Sequence, residues 1–249
     1  MDLFNKVSAR HLQWGAFATL LAFPIAILLA RVGVWHFRNS FLIFIFAAML
    51  CLAILFFALM KLARQQLSGV NESKPLLMAA VCAALPLLAL GYQVSQAAGA
   101  PMIHDISTDT LNPPQFNLAL AKRHGDDHNG AYDSANAALQ AEFYPDIQSR
   151  PFNMAAPALA EKVRQAMDEL GFTLLTDDEP QEDVITLEAS ETSLLFGFVD
   201  DVVVRITPAA EGCVLDIRSM SRQGKSDLGQ NAKRIRRLQA TLEEIIARN

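Results

Sequence analysis

Hydrophobic positions follow two different patterns along this 249-residue chain, and the pattern changes near residue 100. Before that point, three long stretches contain no Asp, Glu, Lys or Arg: residues 11–30, 39–60 and 75–104. A transmembrane helix needs roughly 20 mostly apolar residues to cross a hydrocarbon core of about 30 Å. The pattern therefore predicts a membrane region, residues 1–94, with spans at about 14–30, 41–60 and 75–94.

From residue 146 onward, the hydrophobic positions are short-range and periodic, as in a soluble domain. Residues Pro157–Leu170 carry apolar side chains at helical spacing, whereas Val184–Ser190 alternates apolar and polar residues, as a half-buried strand does. Four further strands are predicted, the last two of which form a hairpin: Asp146–Met154, Phe172–Thr176, Asp201–Thr207 and Cys213–Met220. A turn at Asp177–Pro180 follows the second of these strands.

The C-terminal helix has the clearest pattern. Asp227 is a suitable N-cap, and Gln230 follows three residues later, as in a capping box. Apolar side chains then form one stripe: Leu228, Ala232, Ile235, Leu238, Leu242, Ile245 and Ile246. Basic side chains fall on the other face: Lys233, Arg234, Arg236 and Arg237. The order β-α-β-β-β-β-α over residues 146–249 predicts an α+β domain, with helices on one face of an antiparallel sheet.

Residues 95–145 show neither the helical spacing nor the strand alternation of apolar residues. They are rich in Gly, Pro, Asn and Asp, which favour turns, and we interpret them as a mostly irregular linker. One short helix is predicted near Ala131–Phe143. Histidine and aspartate cluster at 124–128, but their spacing matches turn chemistry better than an established metal motif, so no metal is expected there.

The charges divide the chain at the same place as the hydrophobic pattern. Residues 1–100 have a net charge of +5, and residues 101–249 have a net charge of −10. This asymmetry, with the apolar stretches, excludes a one-piece soluble protein, and a hydrophobic fraction of 52% excludes intrinsic disorder. The acidic second half argues against nucleic-acid binding, which needs clustered positive charge.

Basic residues in the short connections predict the orientation in the membrane. Five of them fall on one side: Lys6, Arg10, Lys61, Arg64 and Lys74. Only Arg31 and Arg38 fall on the other side before the acidic domain begins. Because Lys and Arg favour the cytoplasmic side, the N-terminus is expected in the cytoplasm and the acidic domain across the membrane. In a Gram-negative cell, these places are the inner membrane and the periplasm.

The predicted hairpin supplies the first candidate site. If its apolar residues face the core, the outward charges of the two strands are Asp201, Arg205, Asp216 and Arg218. One register sets Asp201 opposite Arg218, and another sets Arg205 opposite Asp216. Cross-strand pairs of opposite charge contribute roughly 0.2–1 kcal/mol each. We interpret these residues either as a solvated ion-pair ladder or as a polar site on the open face of the sheet.

The loop before the C-terminal helix supplies the second candidate site. Its anion-binding candidates are Arg222, Gly224, Lys225 and Ser226. Backbone amides and the helix dipole favour anions at such a helix N-terminus, so a phosphate or a lipid headgroup is the natural ligand. Asp227 brings a negative charge to the same place. The alternative is therefore a capped helix whose basic loop binds acidic residues within the domain.

The sequence offers little for catalysis. It contains no Gly-x-Ser-x-Gly, His-Glu-x-x-His or Walker motif, and no histidine follows His128. Cys213 falls on the predicted inward face, where a buried thiol is usually inert. We therefore expect no cofactor and no metal, and we favour a non-enzymatic domain.

Several stretches together resemble a known family. They are Pro101–Asp109 (PMIHDISTD), Pro113–Phe116 (PPQF), Tyr144–Ile147 (YPDI), Leu195–Arg205 (LFGFVDDVVVR) and Asp216–Ile235 (DIRSMSRQGKSDLGQNAKRI). Over about residues 101–245, the chain is similar to the bacterial and plant family catalogued as domain of unknown function 1499, whose members often carry membrane spans in front. The resemblance implies no established activity, cofactor or catalytic residues.

Together, these observations predict an integral inner-membrane protein with a periplasmic, non-enzymatic domain that binds a lipid or a small anion. The alternative is a protein–protein scaffold of the cell envelope, and an enzyme of unknown class is the third possibility. The expected partners are the lipid bilayer with either an anionic lipid headgroup or an envelope protein, and not nucleic acid.

Overall fold

The computed structural model describes residues 7–35, 37–68, 72–175 and 184–248, which form two compact units. The first unit contains three long helices: α1 (Ala9–Arg31), α2 (Phe37–Ser68) and α3 (Ser73–Ala97). All three are long and apolar enough to cross a membrane, and only 22–28% of each apolar window is buried. The apolar surface that remains exposed suits contact with lipid, and the three predicted spans lie within these helices.

Small side chains allow the three helices to approach one another closely. The fully buried positions at their contacts are Ala16, Ala26, Cys51, Ala58, Ala79 and Ala83. Membrane helices associate through such small residues, because burial of larger apolar groups gives no advantage over contact with lipid. The membrane-length helices are therefore held by close packing rather than by ion pairs in their middles.

The second unit is built on one antiparallel sheet. Its strands are β1 (Asp105–Ser107), β2 (Arg150–Phe152), β3 (Thr173–Leu174), β4 (Ile185–Thr192), β5 (Val199–Pro208) and β6 (Cys213–Ser221). The strand order is β3-β4-β5-β6-β1, and β2 also pairs with β6. Strands β1 and β2 therefore share one edge of β6, β1 beside residues 218–220 and β2 beside residues 213–215.

Helices cover one face of this sheet. The domain contains α4 (Leu118–Ala121), a 3-10 turn (Ser134–Asn136), α5 (Ala137–Phe143), α6 (Ala156–Glu169) and α7 (Gln230–Arg248). Helices α6 and α7 pack on the apolar sheet face and form the main core with it. The fully buried core residues include Leu159, Leu187, Val204, Ile217 and Ile235. This arrangement confirms the predicted fold class, an α+β domain with an antiparallel sheet after three apolar helices.

The segment interpreted as a linker contributes a strand that its sequence pattern does not reveal. Strand β1 has three residues, too few for a period to be visible, and all three are buried. Its register places Asp105 opposite Met220 and Ser107 opposite Arg218. The predicted short helix in this segment is present as the 3-10 turn followed by α5. The predicted turn at Asp177–Pro180 lies outside the described residues.

The C-terminal helix begins later than its apolar pattern indicates. Helix α7 starts at Gln230, and Leu228 adopts a left-handed backbone conformation with φ 55°. The side chain of Leu228 is 55% exposed, so its inclusion in the buried stripe is wrong. The Asp227 carboxylate accepts hydrogen bonds from the backbone N–H groups of Gly229 (2.8 Å) and Asn231 (2.7 Å), which fixes the turn.

Arg234 is the second departure from the predicted α7 surface. It was expected on the solvated face, but it is buried and its guanidinium forms ion pairs with Glu191 and Asp200. Its Nη1 also donates to Ser219 Oγ at 3.0 Å. Glu191 lies near the end of β4, Asp200 near the beginning of β5 and Ser219 near the end of β6. The helix face of the sheet is therefore polar at this one end of the three strands.

Candidate functional site

The four charged residues of the predicted hairpin site do face away from α6 and α7, but they are not solvated. Arg205 lies directly opposite Asp216 in the β5–β6 register, as one of the two predicted pairings requires. The other predicted pairing is absent, because Asp201 lies opposite Met220 and Val203 lies opposite Arg218. Asp201 and Arg218 are both fully buried. The prediction of a solvated ladder or an open face is therefore wrong.

This face is covered by residues 108–132, which we call the strap. A small apolar cluster joins the two layers: Phe116 and Ala119 of the strap with Val203 and Met220 of the sheet. Glu188 of β4 holds the first turn of α4, because its carboxylate accepts from the backbone N–H groups of residues 117, 118 and 119 at 2.8–3.1 Å. The strap is thus fixed to the sheet by both apolar and charged contacts.

Arg218 is the centre of the covered face. Its Nε and Nη2 donate to the two carboxylate oxygens of Asp105 at 2.9 and 2.7 Å. Its remaining N–H groups donate to the carbonyl oxygens of Pro114 (3.1 Å) and Gly130 (2.8 Å), so it binds both ends of the strap. The guanidinium carbon also lies 4.8 Å from the ring centre of Phe116. Every side of this cation is occupied by the protein itself.

The Asp201 carboxylate accepts hydrogen bonds from two arginines, and it thereby links the predicted hairpin site to the predicted anion site. Arg123 of the strap donates Nε and Nη2 to Oδ2 at 3.0 and 2.8 Å. Arg222, from the loop before α7, donates Nη2 to Oδ1 at 2.8 Å, and its Nη1 donates to the carbonyl oxygen of Lys122 at 2.9 Å. Arg222 is therefore engaged within the domain, as the alternative interpretation of the basic loop requires.

Arg205 completes the network. Its Nη2 lies 2.8 Å from Asp216 and 2.9 Å from Asp109 of the strap, while its Nε is buried without a hydrogen-bond partner. Thr108 and Ser149 also donate to the Asp216 carboxylate. Four arginines thus meet four aspartates on this face: Arg123, Arg205, Arg218 and Arg222 with Asp105, Asp109, Asp201 and Asp216. The network is balanced in charge and leaves no excess cation for an external anion.

Two histidines from the same region stack on each other. The rings of His104 and His128 are 4.0 Å apart and nearly parallel, with an interplanar angle of 19°. A ring nitrogen of His128, Nε2, lies 2.8 Å from the carbonyl oxygen of Gly224. Burial lowers the pKa of His104, and the neighbouring charge of His128 lowers it further. The pair therefore favours a neutral His104 imidazole in the folded domain.

The remaining titratable groups include three whose pKa is shifted by burial. No group of three or more His, Cys, Asp or Glu that could hold a metal ion occurs within the described residues. Burial raises the pKa of the Cys213 thiol, and burial also raises the pKa of Tyr132 to about 12, aided by the charge of Asp105. Burial raises the pKa of Asp227 despite its two backbone hydrogen bonds.

The residues of the predicted anion site do not share one environment: Gly224 and Ser226 are engaged within the domain, whereas Lys225 is exposed. Gly224, with φ 93°, turns the chain so that its carbonyl oxygen meets His128. Ser226 Oγ accepts from Leu228 N–H at 3.2 Å and lies 3.4 Å from the Pro101 carbonyl oxygen. Lys225 remains exposed, and no ion pair or hydrogen bond joins its side chain to the described residues. Of the four candidates, Lys225 alone presents a side-chain charge to the outside.

A surface that the sequence does not reveal lies beside Lys225. The segments 101–103 and 226–228 run next to each other, since Asp227 N–H donates to the Ile103 carbonyl oxygen at 3.2 Å. Met102 on one segment is 69% exposed, and Leu228 on the other is 55% exposed. We call Met102, Lys225 and Leu228 the lip. Sequence reasoning missed it because Leu228 fits the apolar period of α7 without belonging to the helix.

The chain therefore combines three membrane-length helices with an α+β domain whose charged sheet face is covered by its own strap. Residues 105–242, more than half of the chain, match the family model described as "Protein of unknown function (DUF1499)", and the chain belongs to this family. This confirms the resemblance seen in the sequence. The match covers all eight residues of the strap network and ends within α7.

Comparisons beyond the family add little. No curated protein sequence matches the chain. Among solved structures, the vertebrate conserved region of human METTL16 is similar over 47% of this chain and 93% of that one, with 8% sequence identity and a TM-score of 0.30.

Proposed function

We propose that this protein anchors a non-enzymatic domain to the bacterial inner membrane and that the domain binds anionic lipid headgroups on the periplasmic side through the lip. The observation that carries the proposal is the composition of the lip, two exposed apolar side chains beside one exposed lysine. Such a combination suits a membrane interface, where apolar side chains enter the acyl boundary and a lysine pairs with lipid phosphate.

The backbone of Leu228 supports a role for its exposed side chain. A left-handed conformation costs a residue with a Cβ roughly 1–2 kcal/mol. The turn holds Leu228 there, because Leu228 N–H donates to Ser226 Oγ and Gly229 N–H donates to the Asp227 carboxylate. A leucine that stays in water also forgoes about 1.5–3 kcal/mol of burial. Strain of this kind motivates a functional hypothesis, and contact with an apolar phase would recover the lost burial.

The charge of the lip comes from Lys225 rather than from Arg222. The Arg222 guanidinium is satisfied by Asp201 and a backbone carbonyl, so binding an external phosphate would break a buried ion pair. Lys225 has no such engagement among the described residues. A flexible ammonium on a long stem can follow a phosphate at a fluid surface, whereas a fixed guanidinium fork suits a fixed partner.

The position of the lip in the sequence also favours a membrane ligand. Met102 follows Ala97, the last residue of α3, by five residues. Five residues of extended chain span at most about 17 Å, which keeps this segment within reach of the end of a membrane-length helix. The Lys and Arg distribution, five on the N-terminal side against two before the acidic domain, supports the periplasm as the compartment.

The proposal is tested by measuring where residue 228 lies when the full chain is in a bilayer. Leu228→Cys carries a nitroxide label in nanodiscs of phosphatidylglycerol and phosphatidylcholine, and its collisions with oxygen and with a water-soluble nickel complex are compared. The described cysteines, Cys51, Cys82 and Cys213, are buried, which favours selective labelling. The matched control is Leu111→Cys on the strap, where the native side chain is 97% exposed.

We expect the label at 228 to collide more with oxygen and less with nickel than the label at 111. Lys225→Ala is expected to weaken this difference in phosphatidylglycerol, whereas Lys233→Ala, which removes an exposed lysine from α7, is expected to leave it unchanged. Equal nickel access at 228 and 111 in every lipid would overturn the proposal. That result would favour the alternative, a protein–protein scaffold of the cell envelope. Purification of the chain with a bound polypeptide would then identify the partner.

A further inference from the structure

The first unit contains a cleft that the proposed function does not use. It has a volume of about 390 Å³ and is lined by Arg10, Gln13, Glu72, Lys74, Pro75 and Met78. These residues come from the first two turns of α1 and of α3 and from the residue before α3. The volume falls within the range of about 300–1,000 Å³ that is typical of small-molecule sites. We call it the headgroup cleft.

Three charged side chains line the headgroup cleft. Arg10, Glu72 and Lys74 are exposed, and no ion pair or hydrogen bond joins their side chains to the described residues. This contrasts with the strap network, where each arginine meets an aspartate. Two cations that pair with no carboxylate among the described residues can bind a phosphate beside this cavity, since both an arginine and a lysine bind phosphate well.

The position of the cleft along the helices indicates the source of that phosphate. Arg10 and Lys74 are each the second residue of a membrane-length helix, so they lie at the end of the apolar stretch rather than within it. Trp14, one turn further along α1, is 69% exposed, as an interfacial aromatic residue is. Pro75 and Met78 continue the lining towards the apolar part of α3. Basic pockets between membrane helices bind phospholipid headgroups in this way.

Glu72 indicates which kind of phospholipid headgroup fits the cleft. A carboxylate beside two cations accepts hydrogen bonds, so the ligand that matches all three charges carries both a phosphate and a donor. Phosphatidylethanolamine offers an ammonium group, and phosphatidylglycerol offers hydroxyl groups. Phosphatidylcholine carries the same phosphate without any donor. We therefore propose that the headgroup cleft binds one phospholipid through its phosphodiester, held by Arg10 and Lys74, with Glu72 accepting from the headgroup donor.

The test is native mass spectrometry of the full chain in detergent, titrated with each of the three lipids. Arg10→Ala/Lys74→Ala is expected to reduce the single-lipid adduct at least fivefold for both donor-bearing lipids. The matched control is Lys61→Ala/Arg64→Ala, which removes two positive charges from α2 near the same connection but outside the lining. The control is expected to change the adduct by less than twofold.

Two further variants test which lipid headgroup is bound and separate the headgroup cleft from the lip. Glu72→Ala is expected to weaken the phosphatidylethanolamine and phosphatidylglycerol adducts until they bind no better than phosphatidylcholine, because it removes the acceptor for the headgroup donor. Unchanged adducts of both donor-bearing lipids in Glu72→Ala would contradict the role of Glu72. Lys225→Ala is expected to leave the adduct unchanged, so failure of the lip proposal does not decide this one. Equal loss in the control variant, or equal binding of phosphatidylcholine to the wild type, would overturn the headgroup cleft.

Discussion

The two faces of the sheet are both buried, but they are buried by opposite means. On one face, α6 and α7 cover apolar side chains of the sheet such as Val204 and Ile217, and Leu238 of α7 belongs to the same core. This packing is the ordinary one for an α+β domain. On the other face, the irregular strap covers a network of four arginines and four aspartates, to which it contributes Arg123 and Asp109 itself. The helix face is held mainly by the hydrophobic effect, which is non-directional, whereas the strap face is held mainly by directional ion pairs and hydrogen bonds.

This difference explains why charged residues of the predicted hairpin site do not form an accessible site. A buried arginine is costly unless its charge is paired and its donors are satisfied. Asp105 of β1 supplies the carboxylate to Arg218, and the strap supplies two backbone carbonyls. The charges therefore position an irregular segment rather than a ligand. The groups that we propose for lipid binding are instead the exposed side chains of the lip.

The largest expected effect comes from removing Arg218. Arg218→Ala leaves the buried carboxylate of Asp105 without its partner and frees two strap carbonyls, so we expect a loss of about 3–5 kcal/mol in unfolding free energy. Denaturant unfolding of the full chain in detergent measures it. The double variant Arg218→Ala/Asp105→Asn should recover part of the loss, because it removes the stranded charge. A double variant that is simply additive would contradict the ion-pair account.

The second effect tests the opposite face. Leu238→Ala removes a buried side chain from the contact between α7 and the sheet, and we expect a loss of about 2–5 kcal/mol from lost burial and the cavity left behind. Because no charge is involved, the loss should be the same at pH 5.5 and pH 8, measured by the same unfolding assay. A loss that changes with pH would show that the two faces are not held by different forces.

The third effect separates the two basic residues of the predicted anion site. Arg222→Ala removes charged hydrogen bonds to buried Asp201 and should cost about 1–3 kcal/mol in unfolding free energy. Lys225→Ala removes an exposed side chain and should change the same quantity by less than about 0.5 kcal/mol. Equal destabilisation by the two substitutions would place Lys225 in the strap network after all.

The smallest effect is a pH dependence from the stacked histidines. The lowered pKa of His104, caused by burial and then by His128, means that the unfolded chain binds more protons, so stability falls as the pH drops below the unfolded value of 6.5. Asp105 and Asp133 oppose this shift, whereas Arg123 reinforces it. His104→Gln should reduce the loss of stability between pH 7.5 and 5.5, measured by thermal unfolding. An unchanged slope would assign the dependence to other groups.

The sequence predicts the helix face of the domain well and the strap face poorly, for a physical reason. The periods of α6, α7 and the long strands are visible because many residues repeat one environment. Strand β1 and the strap have no period, and Arg123 and Asp109 meet Asp201 and Arg205 only after the chain folds across 78 and 96 residues. The alternation in β5 and β6 does predict which charges share a face, but it does not reveal what covers them.

The lip shows the same limit at a single residue. Leu228 lies at the correct spacing for the apolar stripe of α7, yet the hydrogen bonds of Asp227 to the following N–H groups start the helix two residues later. The Leu228 side chain is therefore exposed because the hydrogen bonds of Asp227, and not the apolar spacing, determine where α7 begins. Lys225 could be named from the sequence as a candidate, whereas Met102 could not, because its neighbour in space is 126 residues away.

Hydrogen–deuterium exchange of the full chain, compared between detergent and phosphatidylglycerol nanodiscs, tests the central claim most directly. Our account predicts that strap amides, residues 108–132, exchange slowly in both environments, because the strap is a fixed layer of the domain. It predicts that amides of residues 223–229 become protected in the nanodisc alone, and less so in Lys225→Ala. A strap that gains protection only with lipid, or a loop that exchanges equally in both environments, would contradict it.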